Sequence, residues 1–395
     1  MRIALIGDFD TFVCRGLERP QHLLPCRLSP GLNLLRGFRE IGLTDVHIVV
    51  VTSEVRQPTV DKGPFGVLHR LPRPPLSGSA SLFLWRRRLI LAELKKIQPD
   101  IVHGQGTELE YGLTAVTAPY PNVITFHGVM HRVHMIEPPP LFSLSHAARL
   151  IEKVVARKAR YVISISHEVE DFLRRRRSPA RTFRIPNAMA PCFFEVQRAQ
   201  RNTDRYALLY VGAIQIRKGL LHLVDALAIV QRRLGQPVRL RVIGPALSSG
   251  PNANYERSVR ARAAELGVAE QIEWMGVQNE LAVARAMAAS DVLVLPSFWE
   301  NMPMSVGEAM AAALPVVSTR AAGIPDWVEE GKTGLLVTPG RSDELADALV
   351  GLLSDAEMRE RLGATARAKA LAQYAPRVVA QKTLEVYESI LQARP

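Results

Sequence analysis

Short apolar runs alternate with amphipathic ones along the whole chain, and the alternation starts afresh near its middle. In the first half, strand-like runs fall at 2–6, 46–52, 101–103, 123–126 and 161–164, and helical spacing fits 29–41, 81–97, 143–159 and 167–176. In the second half, strands fit 207–211, 239–243, 272–275, 292–295 and 316–318, with helices at 220–234, 255–266, 281–288, 305–311, 342–354 and 356–373. Apolar strands that each lead into a helix describe parallel sheets covered on both faces. The restart lies near "PNAMAPCFFEVQRAQRNTD", where Pro186, Pro191 and a polar run break the pattern. A chain of 395 residues also exceeds what one core usually serves. The predicted fold is α/β, two doubly wound domains at 1–190 and 191–376. A last helical run at 377–392 carries apolar residues at Val378, Val379, Leu384, Tyr387, Ile390 and Leu391.

Composition narrows the function classes. Three widely spaced cysteines, Cys14, Cys26 and Cys192, form no Cys-x-x-Cys pair and read as reduced thiols of a cytoplasmic protein. The start, "MRIALIGDFD", has one basic residue and an apolar run cut off by Asp8, which is a first strand and not a signal peptide. No run approaches the ~20 apolar residues needed to span a bilayer. The net charge of +12 is unevenly placed: residues 1–190 hold 27 Lys/Arg against 16 Asp/Glu, a net of +11, and the remainder holds 23 against 22. Basic clusters stand at 86–88 with 95–96, at 149–160 and at 174–177. They read either as solvated helix faces or as a surface for an anionic membrane or acceptor. Nucleic acid is not an expected partner, because the basic residues lack interleaved aromatics and any known nucleic-acid module.

Two segments carry the chemistry. The first, 211–219, runs Val211-Gly212-Ala213-Ile214-Gln215-Ile216-Arg217-Lys218-Gly219 between a strand and a helix. A small residue after the strand lets backbone approach a phosphate, and a helix N-terminus adds partial positive charge. Lys218 can place an ammonium on a diphosphate. The second, 296–340, holds Glu300 and Glu308 with seven residues between them, a loop of Asn301, Met302 and Pro303, and then a helical run. The strand of 315–319 and the turn Gly323-Ile324-Pro325-Asp326 follow. In α/β sheets ligands gather at the carboxyl ends of the strands, where both segments lie.

The order of these residues closely resembles the donor-sugar site of the family-four retaining glycosyltransferases of the GT-B fold, through a Glu-x7-Glu spacing, a "PVV" strand, a Gly-x-Pro turn and a "TGLLV" segment. The match covers roughly a hundred residues of the C-terminal half; the N-terminal half matches in outline. The resemblance implies two Rossmann-like domains facing across a cleft, 1–190 for the acceptor and 191–376 for the donor, with 377–395 crossing back to the first. It implies a UDP- or GDP-sugar donor held by Gly212, Arg217, Lys218, Asn301, Met302, Pro303, Met304, Ser305 and Glu308, with Glu308 on the ribose. Glu300 and His127, the latter in a His-Gly pair after a strand, are implied at the transferred sugar. No metal or other cofactor is implied, and retention is expected by a same-face route in which the leaving phosphate helps deprotonate the acceptor.

The sequence departs from that pattern in places. The family's "G-R-x-x-x-x-K-G" arginine position is Ala213, so Arg217 either takes over that contact or points away. The family's Gly-Gly pair after the first strand is absent, and Gly16 is the candidate for part of that acceptor-side role. Ala313 and Leu314 replace the usual glycine before "PVV", which reads as a packing variation. His127, His131 and His134 also fit a zinc spacing, though the resemblance accounts for His127 alone. Asp8-Phe9-Asp10 mimics the metal motif of another glycosyltransferase fold and is taken as coincidence. The expected function is transfer of a hexose-type sugar to a glycan or lipid-linked acceptor in surface polysaccharide or glycolipid synthesis. The expected location is the cytoplasm, with peripheral contact to the inner membrane face. The alternatives are a nucleotide-sugar epimerase of the same fold or a non-catalytic nucleotide-sugar-binding protein.

Overall fold

A computed structural model of the chain describes residues 1–17, 30–74, 83–107, 109–136, 138, 144–198, 205–247 and 252–393. Its contacts divide it into two units. One comprises Met1–Met135, Pro139–Ala188 and Pro376–Pro395; the other comprises Ile136–Pro138 and Met189–Ala375.

The first unit is built on eight strands: β1 Ile3–Ile6, β2 Val46–Thr52, β3 Thr59–Gly63, β4 Gly66–Pro72, β5 Ile101–Gln105, β6 Asn122–Phe126, β7 Tyr161–Ser164 and β8 Arg181–Arg184. Their order is β3-β4-β2-β1-β5-β6-β7-β8, and only the β3/β4 pair is antiparallel. The central strand β1, Ile-Ala-Leu-Ile, is wholly buried, as a strand sandwiched between helices must be. Successive connections run to one side of β1 through β2 and to the other through β5, so the strand order reverses beside β1 and opens the loops at its carboxyl end.

The helix Pro376–Gln392 belongs to this unit. It buries Val379, Ala380, Val386, Tyr387 and Ile390 in the same cluster as Leu34, Leu35 and Phe38 of the helix Pro30–Glu40. Gly37 is needed at that crossing, because any side chain there would collide with the Pro376 carbonyl.

The second unit has six strands: β9 Ala207–Val211, β10 Arg239–Ile243, β11 Ile272–Gly276, β12 Val292–Leu295, β13 Val316–Thr319 and β14 Leu335–Val337. All are parallel, in the order β11-β10-β9-β12-β13-β14. Here the order reverses between β9 and β12, and these two strands end at the two chemistry-bearing segments, Gly212–Gly219 and Pro296–Glu300.

Candidate functional site

In the second unit, β9 runs into a tight turn, a single 3₁₀ turn at Ile216–Lys218 and then the helix Leu220–Leu234. Gly219 joins the last two with a φ of +71°, and a side chain there would strike the Pro296 carbonyl at the end of β12. This close approach, together with Phe298 N–H donating to the Arg217 carbonyl at 2.8 Å, locks the two loops side by side. Gly212 serves the site differently: a Cβ there would sit 3.1 Å from Lys218 Cδ, so its bare backbone leaves room for the lysine stem.

Lys218 therefore reaches Glu300, with Nζ 2.6 Å from Oε1. Arg217 points the same way, its Nη1 3.0 Å from the same oxygen, which resolves the direction left open by the sequence. The Ser297 hydroxyl lies 3.4 Å from that oxygen, and the Glu300 carbonyl accepts from Gly323 N–H at 2.9 Å, so the Gly-Ile-Pro turn braces the glutamate from behind. Burial acts to raise the Glu300 carboxyl pKa. The adjacent Lys218 and Arg217 charges and the hydrogen bonds from Lys218 and Ser297 outweigh burial, and the group titrates below the usual glutamate range.

Glu308 is as buried as Glu300 but meets the opposite field. Burial and the nearby charge of Glu280 push its carboxyl up to about 8, against a smaller pull from Lys218. It sits one turn inside the helix Met304–Ala311, whose Ncap, Pro303, offers no capping side chain. The amides of Met304 and Ser305 open the helix ahead of its first bond back, Val306 N–H to the Pro303 carbonyl at 3.0 Å. Two cations, open helix amides and a neutral buried acid thus share one sheet edge, which suits a ligand with an anionic centre and vicinal hydroxyls.

The first unit holds His127, just past β6 and half-buried. Its Nε2 lies 2.9 Å from Gln105 Oε1 at the end of β5. Burial lowers its pKa to about 4, with a hydrogen bond to Asn187 working the other way. His131 and His134 lie on the short helix Met130–Ile136 and do not join it: His134 Nε2 pairs with Ser145 Oγ at 2.6 Å, and its ring packs on His146. Among the described residues no group of three His, Cys, Asp or Glu side chains is placed to hold a metal ion. Asp10 accepts hydrogen bonds from Phe12 and Val13 N–H, capping the short helix Thr11–Cys14, and Gly16 ends the turn after it at a φ of +76°, exposed. Most of the loop beyond Gly16, with Cys26, lies outside the described residues.

The basic clusters separate by surroundings. Arg86 is paired with the buried Glu110 at 3.2 Å and Arg87 donates to Thr117 at 3.0 Å, so two of the three arginines at 86–88 hold the fold. Among 174–177, Arg175 and Arg177 are exposed, Arg174 pairs with Asp171 at the surface and Arg176 stacks on Phe172. Two residues that tune the glutamates were not singled out by sequence: Ser297, whose only local signal is its place three residues before Glu300, and Glu280, which reaches Glu308 only through the fold. Ala313 has a φ of +55°, so its position is one of backbone conformation and not of packing.

Comparison with known proteins bears on this arrangement. Residues 193–369 match the family described as Glycosyl transferases group 1, and residues 32–191 match Glycosyltransferase Family 4. An alpha-D-kanosaminyltransferase of Streptomyces kanamyceticus is 28% identical over 62% of this chain and 64% of its own length. A D-inositol 3-phosphate glycosyltransferase of Corynebacterium glutamicum is 39% identical over 39% of this chain and 36% of its own length. The sulfoquinovosyl transferase of Arabidopsis thaliana is 26% identical over 85% of this chain and 65% of its own. The chain thus spans less than two thirds of each of these relatives. Among solved structures, sucrose-phosphate synthase from Thermosynechococcus elongatus superposes with a TM-score of 0.79 at 22% identity over all of both chains. The Anabaena protein HepE, solved with UDP-glucose, superposes with a TM-score of 0.70 at 18% identity over 98% of this chain and 100% of its own.

Proposed function

This chain belongs to family four of the glycosyltransferases with the GT-B fold, and from that premise we propose that it moves a hexose-type sugar from a nucleotide-diphosphate donor to a glycan or lipid-linked acceptor with retention of configuration. The single observation that carries the reading is the cluster at Glu300, where Arg217 and Lys218 share one carboxylate oxygen. Two cations on one anion leave a positive surplus for a diphosphate. When the phosphates arrive, the cations shift toward them and stabilise the charge that grows as the glycosidic C–O bond breaks. That frees Glu300 to face the sugar. Glu308 takes the ribose hydroxyls. In the same-face route the acceptor oxygen bonds to the anomeric carbon while its proton passes to the departing phosphate oxygen, so no protein base is required. His127 acts at the transferred sugar as a neutral ring.

Support for a UDP-type donor comes from HepE, which was solved with UDP-glucose. The second unit is assigned the donor and the first the acceptor. In the first unit, the exposed Arg175 and Arg177 support contact with an anionic acceptor or the cytoplasmic membrane face. No helix among the described residues is long and apolar enough to cross a membrane. The site of synthesis would be surface polysaccharide or glycolipid.

The test is mass-detected transfer from a panel of UDP-, GDP- and ADP-sugars, with the product anomer read by NMR. A product of inverted configuration overturns the retaining reading. A changed sugar in the absence of acceptor establishes the epimerase, and binding without turnover establishes a non-catalytic protein. The reaction is expected to persist in EDTA, since Lys218 and Arg217 neutralise the leaving group; activity that vanishes in EDTA and returns with Mn²⁺ or Mg²⁺ refutes this.

A further inference from the structure

The loop that carries Arg217 and Lys218 is held on one side by the segment after β12, as described above, and on the other by the segment after β10. Past its last strand residues that segment runs beside the loop: Gly212 N–H donates to the Ile243 carbonyl at 2.9 Å and Ile214 N–H to the Pro245 carbonyl at 2.8 Å. Two side chains further along reach back to it. Asn252 Oδ1 accepts from Ile216 N–H at 2.8 Å, and the Tyr255 hydroxyl oxygen accepts from Leu221 N–H at 3.1 Å. Asn252 is buried, and the helix it precedes, Tyr255–Glu265, is tied to the helix Leu220–Leu234 by Arg262 and Asp225 at 2.7 Å. The direction of these contacts is fixed. A backbone N–H only donates, so the end of the Asn252 amide that meets Ile216 is its carbonyl oxygen.

We propose that Asn252 is a positioning residue: it holds the turn that aims Arg217 and Lys218 at Glu300 and, in turnover, at the donor phosphates. The 3₁₀ turn Ile216–Lys218 needs an outside partner. Within it, Lys218 N–H bonds the Gln215 carbonyl at 3.0 Å and Gly219 N–H bonds the Ile216 carbonyl at 3.1 Å, and the hydrogen bonds of a 3₁₀ turn are poorer than those of an α-helix. The first amide of such a turn has no partner inside it, and the side chain of Gln215, at the Ncap, caps nothing. Downstream the turn is pinned by the approach of Gly219 to Pro296 and by Phe298 N–H on the Arg217 carbonyl. Upstream, Asn252 takes the amide of the residue just before the two cations. Arg217 and Lys218 are neighbours in sequence, yet they meet on one oxygen of Glu300. Neighbours on a turn of three residues point about 120° apart, so that convergence holds only while the turn keeps its wind. Without Asn252, the amide of the exposed Ile216 is left to water and the turn loosens from that end.

The kinetic side of this inference rests on the proposed donor reaction; the spectroscopic side does not. The deciding experiment is a ¹³C NMR titration of the full chain labelled at its glutamate carboxyls, with the Glu300 signal assigned by its loss in Glu300→Gln. Native Glu300 is expected to titrate below the usual glutamate range, because Lys218 and Arg217 outweigh burial. In Asn252→Ala the cations are no longer held on the carboxylate while burial remains, so the Glu300 midpoint should rise by about one pH unit or more. Asn252→Asp, whose carboxylate accepts from the same N–H, should return it toward the native value. Tyr255→Phe frees Leu221 N–H beyond the Gly219 lock; it should lower Tm without moving the Glu300 midpoint. An unmoved midpoint in folded Asn252→Ala, an Asp variant that behaves like the alanine one, or an equal rise in Tyr255→Phe overturns the proposal. Turnover of Asn252→Ala is expected to fall about tenfold at nearly unchanged donor KM, as for an interaction made in the transition state. A raised midpoint with turnover intact leaves Asn252 in control of the turn and removes Arg217 and Lys218 from the reaction.

Discussion

The two sheets end in opposite electrostatics. At the carboxyl edge of the second, Glu300 is gripped by Arg217 and Lys218, three ionised groups packed together. At the carboxyl edge of the first, His103, Gln105, Thr125, His127 and Tyr387 form a network that carries no charge near neutral pH. Burial penalises an ion in either place. One edge answers with counter-charges and keeps its ions; the other gives up its protons and becomes neutral. The difference teaches what each edge is for. A cluster with a cation to spare suits a charged ligand, whereas a neutral polar network suits uncharged hydroxyls.

The sharpest break of this contrast is Lys218→Ala. It removes the surplus cation and leaves Glu300 facing Arg217 alone. Transfer should drop by about 10²–10³-fold, the usual cost of a lost charge-stabilising donor, measured as kcat/KM for the preferred donor; a loss under tenfold means that Lys218 does not meet the leaving group.

Glu308 comes next. Glu308→Ala should weaken donor binding by roughly ten- to a hundredfold, from the loss of two ribose hydrogen bonds at about 1 kcal/mol each, and calorimetry showing unchanged affinity would remove the ribose role. Glu308→Gln sharpens the same point through pH. The folded carboxyl titrates near 8, above its ordinary value of 4.5, so between these pH values the native state binds more protons than the unfolded one. Stability therefore declines as pH rises through that window. The glutamine variant cannot ionise and should gain on the order of 4 kcal/mol relative to the native chain between pH 5 and pH 8.5, at about 1.4 kcal/mol per unit of raised pKa, read as a difference in Tm. Parallel melting curves at the two pH values contradict the raised pKa.

The smallest effect concerns the exposed charges of the first unit. Reversal at Arg174, Arg175, Arg176 and Arg177 should reduce co-sedimentation with phosphatidylglycerol vesicles, and the binding itself should fade with salt as the screening length shortens to about 8 Å at physiological ionic strength. Reversal at Arg86 and Arg87 should instead lower stability, because Glu110 would lose its buried partner. Equal partition onto neutral and anionic vesicles, or none onto either, refutes the membrane surface.

Most buried strands were legible in the sequence because a strand covered on both faces carries an apolar run: β2, β7, β9 and β12 fall at the expected residues, as does β10, whose Leu240, Val242 and Ile243 are buried between and beside two arginines. One interior strand escaped, β4, Gly-Val-Leu-His-Arg-Leu-Pro, whose apolar residues are interrupted by His69 and Arg70; the other strands that escaped lie at the margins. β3, Thr-Val-Asp-Lys-Gly, is a half-exposed edge strand, β8 is Arg-Thr-Phe-Arg, and β14 has only three residues. Polar edge strands carry no buried face to read. In the site, Lys218, Glu300 and Glu308 stood out by spacing, yet their contrasting protonation did not, since it depends on Arg217, Ser297 and Glu280 arriving from other segments. Ala313 shows the reverse case: the absent glycine was visible in the sequence, but the left-handed backbone that favours glycine there was not. The Gln105 network was beyond reach because one of its bonds, His103 to Tyr387, spans 284 residues.

That span governs the order in which the protein can be made. The ribosome delivers the whole of Met189–Ala375 before it delivers Tyr387, so the second unit can close on itself during synthesis. The first unit cannot. Until Val386, Tyr387 and Ile390 emerge, the faces of Leu35 and Phe38 that they cover stand open and His103 has no hydroxyl against its Nδ1. The nascent chain passes through a stage with a finished back half and an unfinished front half, when its apolar groove is most exposed to holdase chaperones and proteases.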